Sequence, residues 1–223
     1  MIGQRAILLL FVAFLGMSAS PVYSQINLKT GYNFSFIDAP GLNDLISDFS
    51  ESQEYSNSFP DLKWFQGFEG GVRFKGGIHA LELTYQGGYQ VLKAEGYNPI
   101  RASTYTDKLR FSVHTGAIGY QVSSGIFGLG TDLQFQWYKA KYENGVTSEK
   151  LKDVQEMFGF KFYLMFTLTG DNTIDLAFQP YMVLPTKNYD LEPLSNILGI
   201  EKELAQEKWI RYGLTVIFYN GEK

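Results

Sequence analysis

The sequence predicts an all-β protein. Eight antiparallel strands close into an up-and-down transmembrane β-barrel, with short turns at one end, long loops at the other, and short helices in two of the loops. Three observations predict it. Eight segments alternate apolar and polar residues with the period of two that marks a strand with one apolar face. The connections run long, short, long, short, long, short, long, which is the loop pattern of a barrel that crosses a membrane. The polar face carries Gly, Ser, Thr, Asn, Gln and single charges rather than the dense Lys and Glu of a solvated surface. A soluble barrel would instead turn its apolar face inward around a ligand.

Composition narrows the classes further. Charged residues make up 19% of the 223-residue chain, below the roughly one quarter usual in soluble domains. The formal net charge of −4 provides no basic footprint, which argues against a nucleic-acid partner. The absence of cysteine excludes disulfides, Cys-ligated zinc and thiol catalysis, and suits an oxidising compartment. At the N-terminus, Arg5 precedes the apolar run Ala6 to Gly16, and small or polar residues follow to Ser24. That order predicts a secretory signal peptide over residues 1–24, with the barrel occupying 25–223. The apolar run is too short to span a bilayer alone.

The first strand is expected over Gln25–Ile37, with Ile26, Leu28, Tyr32, Phe34 and Phe36 opposite Asn27, Lys29, Gly31, Asn33 and Ser35. The connection from Asp38 to Leu62 places Leu42, Leu45, Ile46 and Phe49 at helical spacing, so a short amphipathic helix is predicted there. Its acidic residues, Asp38, Asp44, Asp48, Glu51, Glu54 and Asp61, match no calcium-loop spacing. The second strand, Lys63–Lys75, turns at Gly76-Gly77 into the third, Ile78–Val91. A long connection, Leu92–Thr106, leads to the fourth strand, Asp107–Gln121. Here Leu109, Phe111, Val113 and Ala117 are expected outward and Arg110, Ser112, His114 and Gly116 inward. The phase blurs at Ile118 and Tyr120, as a bulge would make it.

Val122 to Gly125 is the second short turn, followed by a fifth strand over Ile126–Tyr138 and a charged connection over Lys139–Asp153. The sixth strand is the clearest: Phe158, Phe160, Phe162, Leu164, Phe166 and Leu168 alternate with Gly159, Lys161, Tyr163 and Thr167. Thr169 to Thr173 form the third short turn. The seventh strand, Ile174–Leu184, contains Pro180, which costs a ladder hydrogen bond and predicts a local irregularity. The connection Pro185–Lys208 holds a second helix candidate near Leu191–Gln206, and the eighth strand is Trp209–Tyr219.

The inward faces carry Lys29, Glu69, Arg73, Glu82, Arg110, Asp132, Lys161, Asp175 and Arg211. Charges in a narrow lumen must pair, so a luminal ionic network is expected. Counted from the short turns, Glu69, Asp132, Lys161 and Arg211 fall in a middle layer, with His114 near it. Arg73, Glu82 and Asp175 fall below that layer, and Arg110 near the loop rim. Such charges suit an ion pathway, but an eight-stranded barrel is only wide enough for its own side chains, which favours a filled interior. His79 and His114, the two histidines, form no evident triad, so no enzyme, cofactor or metal is expected.

The end of the chain carries a resemblance. In RYGLTVIF, residues Arg211, Gly213, Val216 and Phe218 are spaced like the C-terminal assembly signal of outer-membrane β-barrels. With the helix-bearing first loop and the turn–loop alternation, residues 25 to 219 resemble the small outer-membrane β-barrel domain family of Gram-negative bacteria. The segments PDLKWFQGFEGGVRF (60 to 74) and QPYMVLP (179 to 185) are similar to its PorT-like branch. Asn220 to Lys223 depart from the family's commoner terminal aromatic. The resemblance implies an outer-membrane protein with both termini in the periplasm, with membrane lipid and the barrel assembly machinery as partners. Two roles fit that setting. One is a structural or interaction module whose long outer loops dock a protein, as in a secretion or surface assembly; the other is a narrow channel for ions or small solutes.

Overall fold

The structure, a computed structural model, describes residues 25–53, 55–100, 102–146, 150–169, 174–200 and 206–220. The expected signal peptide, the third short turn at 170–173 and Glu54 lie outside the described residues.

Eight strands form: β1 (Gln25–Asp38), β2 (Trp64–Gly76), β3 (His79–Asn98), β4 (Ser103–Ser124), β5 (Phe127–Glu143), β6 (Lys150–Thr169), β7 (Ile174–Pro185) and β8 (Ile210–Asn220). Two helices, α1 (Pro40–Ser52) and α2 (Glu192–Leu198), lie in the β1–β2 and β7–β8 loops. Each strand pairs antiparallel with the next, and β8 pairs with β1, so the sheet closes into a barrel. The turns are Gly77-Ile78 and Gly125-Ile126, one residue or more beyond the positions expected from sequence. Gly77 and Gly125 have φ of 61° and 59°, which suits a two-residue hairpin turn with glycine first.

The wall is inverted relative to a water-soluble protein. Leu28, Phe68, Leu129, Leu164 and Leu168 project outward, each with half or more of its surface exposed, whereas Asn33, Gln86, Gln134, Gln179 and Thr215 are buried inside. An exterior of this kind is stable against hydrocarbon rather than water. Pro180 behaves as its missing N–H requires. The β6–β7 ladder breaks between the Tyr163–Tyr181 and Phe166–Phe178 pairs and then resumes in the same register.

The strands run further than the sequence suggested. β4 has 22 residues; at about 3.4 Å per residue and a tilt of about 45°, it rises roughly 50 Å, twice an apolar band of about 25 Å. The supposed connections over Leu92–Thr106 and Lys139–Asp153 are mostly strand, paired up to Asn98–Ser103 and Glu143–Lys150.

The phase expected for β4 is also corrected. Leu109, Phe111, Val113 and Thr115 are buried inside, while Arg110, Ser112 and His114 lie on the outer face. No bulge occurs, because the β3–β4 and β4–β5 registers are continuous throughout. What changes along β4 is which face is apolar. Towards the turns the apolar residues, such as Ile118, face outward; towards the loops they face in.

The loop end therefore has its own core. Leu42, Leu45, Ile46 and Phe49, the predicted face of α1, are all buried against the wall residues Phe65, Leu92, Leu109 and Phe111 and against Leu194 and Leu198 of α2. At its centre Trp209 stacks on Tyr189 at 3.6 Å between ring centroids and meets the Tyr138 ring edge-on. Helix α2 is shorter than expected; residues 201–205 lie outside the description, and Glu207 pairs with Tyr189 in an isolated bridge. Trp209→Ala should destabilise the fold by about 3–5 kcal/mol. Urea unfolding in detergent would show this as a lower midpoint, with the barrel still able to fold.

Candidate functional site

Six of the nine predicted luminal charges form one connected chain of alternating sign. Arg73 Nε lies 3.7 Å from Glu82, and Glu82 is 2.5 Å from Lys29 Nζ. Lys29 is 2.8 Å from Glu69; Glu69 is 3.6 Å from Lys161, and Lys161 is 3.8 Å from Asp132. Three cations and three carboxylates leave no net charge. All six are buried, with at most 5% exposure.

Neutral groups extend the network. Tyr219 donates to Glu82 Oε1 at 3.2 Å, and Lys161 donates to Gln179 Oε1 at 2.7 Å. With its amide nitrogen towards Glu82, Gln121 donates to Oε1 at 3.2 Å while its oxygen accepts from Arg73 Nη2 at 3.2 Å. Arg73 also lies over the Tyr219 ring, and Lys161 sits between the faces of Tyr163 and Tyr181.

Inward glycines create the space. A Cβ on Gly119 would come within 2.2 Å of Asp132 Oδ1, and one on Gly213 within 2.4 Å of the Tyr181 ring. Gly213 of the expected assembly signal is thus required by the packing of Tyr181. Of the other three residues of that signal, Val216 and Phe218 face outward and Arg211 faces the lumen.

Three of the nine charges stand apart. Arg110 is on the exterior of β4, where it donates to Glu143 at 3.2 Å; the β4 phase inversion puts it there. Arg211 is buried as expected, but it lies against the Tyr138 ring at 5.7 Å and joins none of the network's ion pairs. Asp175 is half-buried on β7 near the turn end, outside those pairs. Both histidines are exterior and each bonds a tyrosine: His79 to Tyr120 at 2.6 Å and His114 to Tyr85 at 2.7 Å. His114 is therefore not luminal.

Three carboxylates that sequence reasoning did not single out fasten the loop end. Glu207 accepts from the backbone N–H groups of Gly41 and Leu42 at 2.8 and 3.2 Å and from Trp209 Nε1 at 2.9 Å. It caps α1, whose own N-cap, Ala39, has no side-chain acceptor. Asp107 accepts from Tyr55 at 2.5 Å, Tyr142 at 2.6 Å and Gly145 N at 2.7 Å. Asp153 accepts from Tyr189 at 3.1 Å and Gln155 at 3.0 Å. Burial, and then the hydrogen bond to Asp107, push the Tyr55 and Tyr142 phenols above their ordinary range.

No known family's profile matches the chain, and no curated protein does. Among solved structures it is similar to Ail, the attachment invasion locus protein of Yersinia pestis, determined with the heparin analogue sucrose octasulfate. The identity is 10%, over 88% of this chain and 98% of that one, with a TM-score of 0.47. Neisserial surface protein A is similar at 8% identity over 89% and 99% of the two chains, with a TM-score of 0.44. The outer-membrane protease OmpT of Escherichia coli is similar at 7% identity over 92% and 100%, with a TM-score of 0.40. At these scores the reading of this chain rests on its own geometry.

Glu69→Ala should destabilise the barrel by about 3–5 kcal/mol, because it leaves Lys29 and Lys161 short of a counter-charge in a closed interior. Glu69→Ala with Lys161→Met removes one charge of each sign and should recover part of the loss, read as the urea midpoint. The raised phenols have a different signature. Neutral Tyr55 and Tyr142 hold their bonds below the unfolded value of about 10 and lose them only as pH rises through the higher folded values. Ultraviolet absorbance titration of Tyr55→Phe and Tyr142→Phe should show no missing ionisation in the range where exposed tyrosines titrate.

Proposed function

We propose that the protein is an integral outer-membrane barrel that acts as a structural and interaction module, its loop end docking a partner protein such as a subunit of a secretion or surface assembly. The observation that carries this reading is the packed loop end. Two helices and two overlong hairpins share one apolar core above a lumen in which six charges pair in one network. That construction presents a rigid head to a partner. On this reading the loops face outward, both termini lie in the periplasm, a signal peptide over 1–24 exports the chain, and the assembly machinery reads Arg211, Gly213, Val216 and Phe218. No catalytic role is assigned.

The narrow channel is the second reading, favoured by the charge lining of the lumen. Against it, Glu69, Glu82, Lys161 and Arg211 are each only 1% exposed, and Leu42, Leu45 and Leu62 above them are fully buried. Four measurements test the proposal. The folded protein should migrate faster on gels before boiling than after, and should fractionate with membranes. Purification in mild detergent should recover a stoichiometric protein partner, which is lost when the β1–β2 loop is exchanged. In planar bilayers the barrel should be silent; steady openings altered by Asp132→Asn or Lys161→Met would overturn the module in favour of the channel.

A further inference from the structure

On the outer face of β3 to β6, where the exterior changes from apolar to polar, lies a concavity of about 310 Å³ lined by Tyr89, Val91, Arg110, Ser112, Lys139, Lys141 and Lys152 among others. The charges are concentrated by register. Arg110 is directly opposite Lys141, and Lys141 is directly opposite Lys152, so three cations occupy one row across three strands. Lys139 stands two residues along β5 from Lys141, on the same face. Like charges directly opposite on a sheet repel, so this row costs stability in the absence of a counter-charge. Glu143 supplies part of one, at 3.2 Å from Arg110 and 3.1 Å from Lys141. Lys139 and Lys152 form no ion pair with any described residue. Glu156, a second carboxylate on this face, sits further toward the apolar belt, opposite Trp137. Nearer the loop rim the same face adds Lys93 and Lys108, directly opposite each other, and Glu95. Six cations against three carboxylates leave the described part of this face positive in a chain whose net charge is −4.

The surroundings of the concavity indicate what kind of anion it suits. Towards the turns, the same strands present an aromatic wall in which Phe135 packs on Trp137 at 4.5 Å and on Phe158 at 5.0 Å between ring centroids. Exposed Leu133, Phe158 and Phe160 continue it. A ligand with an anionic head and hydrocarbon tails fits this order: the head among the lysines, beside the Ser112 and Tyr89 hydroxyls, and the tails along the wall. A soluble anion would use the upper part alone.

We propose that this groove binds the phosphate of a lipid headgroup in the leaflet surrounding the loop end. The proposal rests on the membrane placement above, with the groove at the water–lipid boundary. Native mass spectrometry of the barrel in detergent micelles tests it with three probes: phosphatidic acid, phosphatidylcholine with the same chains, and inorganic phosphate. Phosphatidic acid should be retained in preference to both others. R110A/K141A/K152A should bind it on the order of a hundredfold more weakly, at about fivefold per basic side chain near an anionic surface. Those side chains lie outside the lumen, so the variant should keep the gel-mobility shift of the folded barrel. Equal retention of phosphatidylcholine, undiminished phosphatidic acid on the variant, or inorganic phosphate held as tightly as the lipid would each overturn the site while leaving the barrel reading intact. A wild-type protein that is water-soluble and indifferent to boiling would overturn the membrane placement and the lipid site together.

Discussion

Hydrocarbon supplies no hydrogen bonds and no counter-charges, and the rest of the structure follows from that constraint. A sheet crossing it must close, so β8 pairs with β1. Polar side chains must turn inward, and inside they must satisfy one another. The sequence Arg73, Glu82, Lys29, Glu69, Lys161, Asp132 does this by alternating sign, with contacts from five different strands. Its geometry depends on residues that carry no charge. Gly119 and Gly213 leave room for Asp132 and Tyr181, and Gln121, Gln179 and Tyr219 provide bonds the charges alone do not make.

On the proposed membrane placement that constraint ends partway up the barrel, where outward apolar residues give way to polar ones. The strands continue without a break in register, but the meaning of their alternation reverses. Towards the turns Phe158 and Leu133 are exposed on the outer face; towards the loops Leu109, Phe111 and Leu92 are buried on the inner one. Between the two lies the band containing His114, Ser112 and Lys139. Above it the barrel becomes the base of a small water-soluble fold, with α1 and α2 as its lid and Glu207, Asp107 and Asp153 as its polar fastenings.

This reversal also explains what the sequence could and could not show. Period-two alternation identifies a strand but does not say which face is inside. Where the outer face stays apolar, as over Phe158 to Leu168 of β6 and along β8, the assignment of Lys161 and Arg211 to the lumen follows directly. On β4 the small residues Thr115, Gly116 and Ala117 blur the phase, and Leu109, Phe111 and Val113 have the apolar character of lipid-facing residues. The pattern therefore predicts Arg110 and His114 inside, whereas they lie outside. The hairpin extensions carry outward Lys93, Glu95, Lys139 and Lys141, a charge density that resembles a loop. The cap from Glu207 to α1 spans 166 residues, and no local pattern marks it. By contrast, the α1 face was legible because Leu42, Leu45, Ile46 and Phe49 meet the same core whatever surrounds the barrel.

The central claim is that one continuous wall faces two solvents. The chain has no cysteine, so single nitroxide labels can be placed at Leu164→Cys on the lipid-facing side of β6 and at Lys141→Cys on the water-facing part of β5. Power-saturation electron paramagnetic resonance in vesicles then compares collision with oxygen, which partitions into lipid, and with a polar nickel chelate. The account predicts oxygen accessibility at position 164 and nickel accessibility at position 141. Nickel accessibility at both positions would contradict it, because the exposed apolar face would then be in contact with water.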